Sequence, residues 1–135
     1  MASVLEKRFG LDIHLLDSVA EGGAAEKGAL VVTGSHGGIS AARYALTFYP
    51  RLVVFNDAGI GKDEAGIAGL WILEAAGVAA AAVAHTSARI GEARDALENG
   101  VISRINAPAR ALGMVPGELL LKALERLANR FRSLQ

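Results

Sequence analysis

Three times in this chain an apolar, β-prone run stops at a cluster of small and polar residues, and a segment of helical character follows. Leu30-Val31-Val32-Thr33 runs into Gly34-Ser35-His36-Gly37-Gly38, and Leu52-Val53-Val54-Phe55 into Asn56-Asp57-Ala58-Gly59. Val78 to Ala84 runs into His85-Thr86-Ser87. Strands that alternate with helices in this way return to the same direction through right-handed crossovers, which lay the helices on a parallel sheet. Arg51 to Phe55 is continuous in apolar residues, as a strand buried on both faces requires. The expected fold is a single α/β domain over residues 1–135, a three-layer sandwich. Its mainly parallel sheet should have about five strands, four of them parallel, with helices on both faces.

The remaining elements fit around that rhythm. Residues 1 to 10 suit one or two amphipathic turns before Gly10, and Leu11 to Leu16 suits a first strand with His14 inside it. Ala29 to Thr33 reads as the second strand, while Asp17 to Gly28 fits either a loop or a short helix. Helices are expected over Ile39 to Phe48, about Asp63 to Ala76 with Gly77 at C′, and Gly91 to Glu98. Val101 to Ile105 makes a fifth strand, and Asn106 can cap a short helix through Leu112. Pro116 opens a final helix with the apolar stripe Leu120, Leu124, Leu127, Phe131 and Leu134. Its Lys122, Arg126 and Arg130 read as a solvated face. Gly66 and Gly69, placed inside the Asp63–Ala76 helix, would cost about 1 kcal/mol each relative to alanine. That points to close packing against the sheet or a neighbouring subunit.

Composition narrows the function. At 135 residues the chain has the length of one domain, and its 52% hydrophobic share is incompatible with a disordered protein. Fourteen basic and fourteen acidic residues cancel, which argues against a nucleic-acid binder and offers no charge barrier to self-association, so a homo-oligomer is expected. The absence of cysteine removes disulfides, thiolate metal sites and cysteine nucleophiles. The start Met1 to Arg8 places charges where a signal peptide needs an apolar run, so none is expected there, and the apolar Val78 to Ala84 is far too short to span a bilayer. A cytoplasmic protein with no membrane partner is the expectation.

In an open α/β sheet the ligand site lies beyond the carboxyl ends of the strands, near a topological switch point. Parallel strands would bring the three polar ends to one edge. Ser35 is then a candidate nucleophile with His36 or, better, His85 as its base and Asp57 orienting the imidazole. The amides of Gly37 and Gly38 would stabilise an oxyanion. In the plainer alternative Ser35 caps the helix and His36 fills the turn.

Asn56 to Asp63 superficially looks like a phosphate-binding P-loop, but that pattern needs glycine at 56 and a hydroxyl residue at 63, so a nucleoside triphosphatase is rejected. Asp57 remains as base or orienter. Asn56 and Lys62 are candidate substrate contacts, and Asp63 is an N-cap. Thr86, Ser87 and Arg89 suit a carboxylate or phosphate. Alternatively Ser87 caps the next helix and Arg89 pairs with Glu92 or Asp95. His36, His85, Asp57 and Asp63 contain a possible metal-ligand set, but no compact spacing supports it, so no metal is assigned and the cofactor is left unknown. His14 reads as a satisfied core histidine.

The Gly-Ser-x-Gly-Gly run at 34 to 38 resembles the glycine-rich nucleotide motif of universal stress proteins. In that family it follows a late strand with longer glycine spacing; here it follows an early one and nothing else matches, so no family is assigned. The expected function is a small-molecule enzyme, a hydrolase or lyase acting on a polar anionic metabolite. The alternatives are a non-catalytic metabolite- or nucleotide-binding regulatory module, or a subunit of a larger assembly.

Overall fold

Val4–Arg8 (β1) and Leu11–Leu16 (β2) form an antiparallel hairpin across Phe9-Gly10, where both φ values are positive, 56° and 78°. Positive φ at both central residues matches the right-handed twist of the flanking strands. The amphipathic turns expected over residues 1 to 10 are therefore replaced by an edge strand. The computed structural model describes residues 3–134, so Met1 and Ala2 lie outside the described residues.

The hairpin leads into one six-stranded sheet in the order β1-β2-β3-β4-β5-β6, one strand more than expected. Leu30–His36 (β3), Leu52–Asn56 (β4) and Ala79–Val83 (β5) continue parallel to β2. Ile102–Ile105 (β6) closes the other edge antiparallel to β5. Four strands are thus parallel, and the mixed sheet has antiparallel edges.

Side-chain alternation divides the core in two. Val31, Val53, Phe55, Ala80 and Ala82 meet Ile39–Ala45 (α1) and Gly69–Ala75 (α2). Leu30, Val32, Leu52, Val54, Ala79 and Ala81 meet Ala93–Asn99 (α3) and Leu120–Ser133 (α5). Ala107–Ala111 (α4) sits beside β5, capped by Asn106, whose Oδ1 accepts from Ala109 N at 3.1 Å. Strand order follows the sequence without reversal, so the expected topological switch point is absent.

The second face is reached by the segment between β5 and α3, which crosses the strand ends back toward β2 and β3. Gly91 N donates to Gly34 O at 2.7 Å, and Asp17 Oδ1 accepts from Ala93 N at 3.0 Å. Asp17 therefore caps α3 from a distant part of the chain, where Glu92 makes no side-chain cap. A Cβ on Gly34 would stand 2.4 Å from Glu92 N, so only glycine admits this crossing.

Several boundaries move. β3 continues through His36 instead of ending at Thr33, and Asp17 to Gly28 forms two short 3-10 turns, Val19–Glu21 and Ala24–Glu26. α2 begins at Gly69 rather than Asp63, and the final helix at Leu120 rather than Pro116. Of its stripe, Leu120, Leu124 and Leu127 are buried while Leu134 is 77% exposed. Arg126 holds both oxygens of Glu118 and Arg130 holds Ala111 O, so the exposed basic face also ties α5 to the preceding turn. His14 is satisfied by Glu26 at 2.8 Å, although its ring is partly exposed rather than in the core. Among the described residues, no helix is long and apolar enough to cross a membrane.

Candidate functional site

β4 delivers Asp57 to the end of β5. Its backbone N donates to Val83 O at 2.8 Å, and its side chain reaches across the strand end, almost wholly buried. Oδ1 accepts from Gly59 N at 2.8 Å and His85 N at 3.0 Å, and Oδ2 accepts from Ser103 Oγ at 2.7 Å. Burial pushes the carboxyl pKa up, but the hydrogen bonds from Ser103, Gly59 and His85, with the nearby imidazole, outweigh it and hold the group below its ordinary value. Asp57 is therefore ionised at neutral pH.

The His85 ring stands over that carboxylate, Nδ1 3.4 Å from Oδ1, and remains 52% exposed. With Nδ1 facing a carboxylate, Nε2 is the nitrogen left for proton transfer. Three donors already occupy Asp57, so its position suits orienting the imidazole better than acting as a base. Ser103 belongs to this candidate site, and sequence reasoning missed it. Nothing in Ile102-Ser103-Arg104-Ile105 marks it; the antiparallel pairing of β6 with β5 carries its hydroxyl to Asp57.

A polar pocket of about 280 Å³ adjoins His85, lined by Thr86, Ser87, Ala88, Arg89 and Asp95. Thr86 and Arg89 are exposed there. Ser87 is committed to the scaffold: its Oγ donates to Ala84 O at 2.7 Å and accepts from Val101 N at 2.9 Å, closing the turn rather than capping α3. Arg89 uses its backbone N to reach Asp95 Oδ2 at 2.8 Å. Among the described residues no hydrogen bond or contact ion pair engages its guanidinium, though its charge still acts on the Asp95 carboxylate. Asn99 and the Arg89 amide hold the Asp95 carboxyl below its ordinary value.

Ser35 and His36 are not in this pocket. β3 has two extra residues between the pairs Val32–Val54 and His36–Asn56, and Thr33 Oγ1 fills the gap by donating to Val54 O at 2.9 Å. Such a bulge re-aims the residues that follow. Ser35 Oγ accepts from Val19 N at 2.9 Å, and both residues line a separate hollow between the first 3-10 turn and α1. No hydrogen bond joins Ser35 to either histidine, so the expected serine–histidine–aspartate relay is not assembled.

Other expected contacts are spent internally. Gly37 N donates to Asn56 O at 3.1 Å and is not available to an oxyanion; Gly38, not Ser35, is the N-cap of α1. Asn56 is buried, donating to Ala88 O at 2.8 Å and accepting from Ala58 N at 2.8 Å, which pins the crossing segment and leaves nothing for substrate. Lys62 and Asp63 are exposed on the loop before α2; Asp63 has φ 55° and caps nothing. Among the described residues no three His, Asp or Glu side chains gather as a metal site, so His36, His85, Asp57 and Asp63 do not converge.

That loop is strained. Ala58, Ile60, Asp63 and Glu64 have φ of 51°, 67°, 55° and 56°, and Gly59 and Gly61 are also left-handed. A left-handed residue with a Cβ costs roughly 1–2 kcal/mol, and a β-branched one such as Ile60 is a rare case. Ile60 N to Asp57 O at 2.7 Å and Gly66 N to Ile60 O at 2.8 Å hold it in place, with Gly59 against the His85 ring. Strained conformations of this kind persist only where the surrounding structure over-determines them.

Compared with protein-family models, curated proteins and solved structures, the chain matches none of them.

Proposed function

We propose that this protein is a small-molecule enzyme of the hydrolase or lyase type, acting on a polar anionic metabolite in the pocket beside His85. One observation carries the reading: a buried, ionised Asp57 lies 3.4 Å from the Nδ1 of an exposed histidine on the rim of a polar pocket. In this scheme Asp57 orients the His85 ring. Nε2 takes or gives the proton, and Arg89 with Thr86 binds the anionic group. Ser103 and the Gly59 amide keep Asp57 ionised. No serine nucleophile is invoked; an activated water or a proton β to a leaving group would be His85's target.

The test is a turnover screen over carboxylate- and phosphate-bearing esters and β-hydroxy acids, run in parallel on His85→Gln. General acid–base catalysis contributes about 10²–10⁴-fold, so His85→Gln should lose activity on that scale while retaining its fold. Turnover indifferent to His85→Gln overturns the assignment. A ligand that shifts the His85–Arg89 amides without any turnover would favour the second reading, a binding or regulatory module. Supporting that alternative, Asn56, Ser87 and Ser103 are occupied by scaffold contacts, which leaves few groups facing the pocket.

A further inference from the structure

The re-aimed end of β3 opens onto a groove that the His85 chemistry does not use. Two hollows of about 150 and 330 Å³ lie along α1 and share Ser40 and Tyr44 in their walls. They have no lining residue in common with the His85 pocket. We propose that this groove is a second ligand site, for a small hydroxylated phosphate ester of the sugar- or polyol-phosphate class.

The side chains argue for that chemistry. Ser40, Arg43 and Tyr44 stand at three- and four-residue spacing on α1, with His36 at the end of β3 and Thr47 just past the helix lining the two ends. No acidic side chain lines either hollow, so the only charge is the Arg43 guanidinium, with His36 at the far end. Among the described residues Arg43 makes no hydrogen bond or ion pair. Arg8, Arg94 and Arg126 by contrast are all held by carboxylates. A guanidinium without a partner offers the bidentate fork that phosphate accepts.

Between the two ends stand hydroxyls with capacity to spare. The hydroxyls of Ser40 and Tyr44 have no hydrogen-bond partner among the described residues. Ser35 Oγ accepts from Val19 N at 2.9 Å and so keeps its proton for donation. Thr47 Oγ1 donates to Tyr44 O and keeps its lone pairs to accept. A phosphate on Arg43 with its hydroxylated body along Ser40, Tyr44 and Ser35 matches the donors in kind and order. The two hollows together have the volume typical of small-metabolite sites.

The test is an amide and imidazole NMR titration of the whole protein with glucose 6-phosphate and glycerol 3-phosphate. Inorganic phosphate, glycerate and glycerol are the comparison probes. The esters should shift Ser40, Arg43, Tyr44 and His36 at millimolar concentration, with glycerol silent and phosphate and glycerate weaker. Arg43→Ala should weaken the esters about tenfold or more, while His85→Gln leaves them unchanged. Shifts confined to His85–Arg89, esters bound equally by Arg43→Ala, or no shifts at all overturn the proposal. Inorganic phosphate binding as tightly as the esters also overturns it, since the hydroxyls would then read nothing. None of these outcomes depends on whether His85 is catalytic.

Discussion

Asp57 is stable as a buried anion because its lone pairs are answered by Gly59 N, His85 N and Ser103 Oγ. Removing one partner of a buried polar group costs about 1–3 kcal/mol, so Ser103→Ala should lower the urea midpoint at neutral pH by a corresponding amount. Its folded pKa lies below the unfolded value of about 4, so its contribution is fully present above that value. It is lost as pH falls through the folded pKa. The wild type should therefore lose stability below about pH 4 more steeply than Asp57→Asn, in urea unfolding followed from pH 6 to pH 2. Identical pH profiles for the two proteins would mean that Asp57 is not preferentially ionised in the fold. Exposed Glu6 and Asp95 are also held low, which is why the comparison with Asp57→Asn, and not the bare wild-type curve, is decisive.

At the scale of elements, glycines let three backbones interlock around the site. Gly69 N donates to Gly37 O at 2.8 Å, and a Cβ on Gly69 would stand 2.2 Å from Gly38 O. A Cβ on Gly66 would stand 2.0 Å from Asp57 O. Both obstacles are backbone and cannot swing aside. As a helical residue Gly69→Ala should gain about 1 kcal/mol, but overpacking costs about 1–3 kcal/mol and a strained hydrogen bond about 1 more. The clash wins, and thermal unfolding should show Gly69→Ala destabilised. Gly77→Ala is the control: φ is 77° there, but nothing lies within 4 Å, so only left-handed strain of roughly 1–2 kcal/mol applies. A Gly69→Ala protein as stable as wild type would show that the α1 and α2 loops yield easily.

Across the whole molecule, stability should fall from the centre of the sheet outward. β4 and β5 are buried at every position and paired on both sides, whereas β1 is an edge strand with Val4 and Leu5 about half exposed. Amide hydrogen exchange should find the slowest protons in β3–β5 and much faster exchange in β1 and the 58–64 loop. Uniform protection from β1 to β6 would contradict this ordering. Because the strands follow one another without reversal, α1 and α2 share a face and the crossing from His85 to Gly91 must roof the strand ends. That roof, pinned by Asn56 and Gly34, divides what could have been one cleft into the His85 pocket and the α1 groove.

Periodicity and turn chemistry are local, so the alternation of strands and helices, the buried Leu52–Phe55 run, the Asn106 cap and the Gly77 stop were all legible in the sequence. So was the placing of polar residues at three strand ends. What tertiary structure decided is which of those ends meet. A bulge in β3 turns Ser35 away from His85, antiparallel β6 brings in Ser103, and the segment after β5 is pinned over the strand ends. Each depends on hydrogen bonds between residues about 20 to 50 positions apart: Thr33 with Val54, Asp57 with Ser103, Asn56 with Ala88. Residue order alone does not encode such pairings, because a strand of given pattern can lie in either direction and a polar side chain can bond to scaffold or ligand. The sequence by itself determined where polarity gathers; only the packed sheet decided that Asp57 lies against His85 while Ser35 lines another hollow.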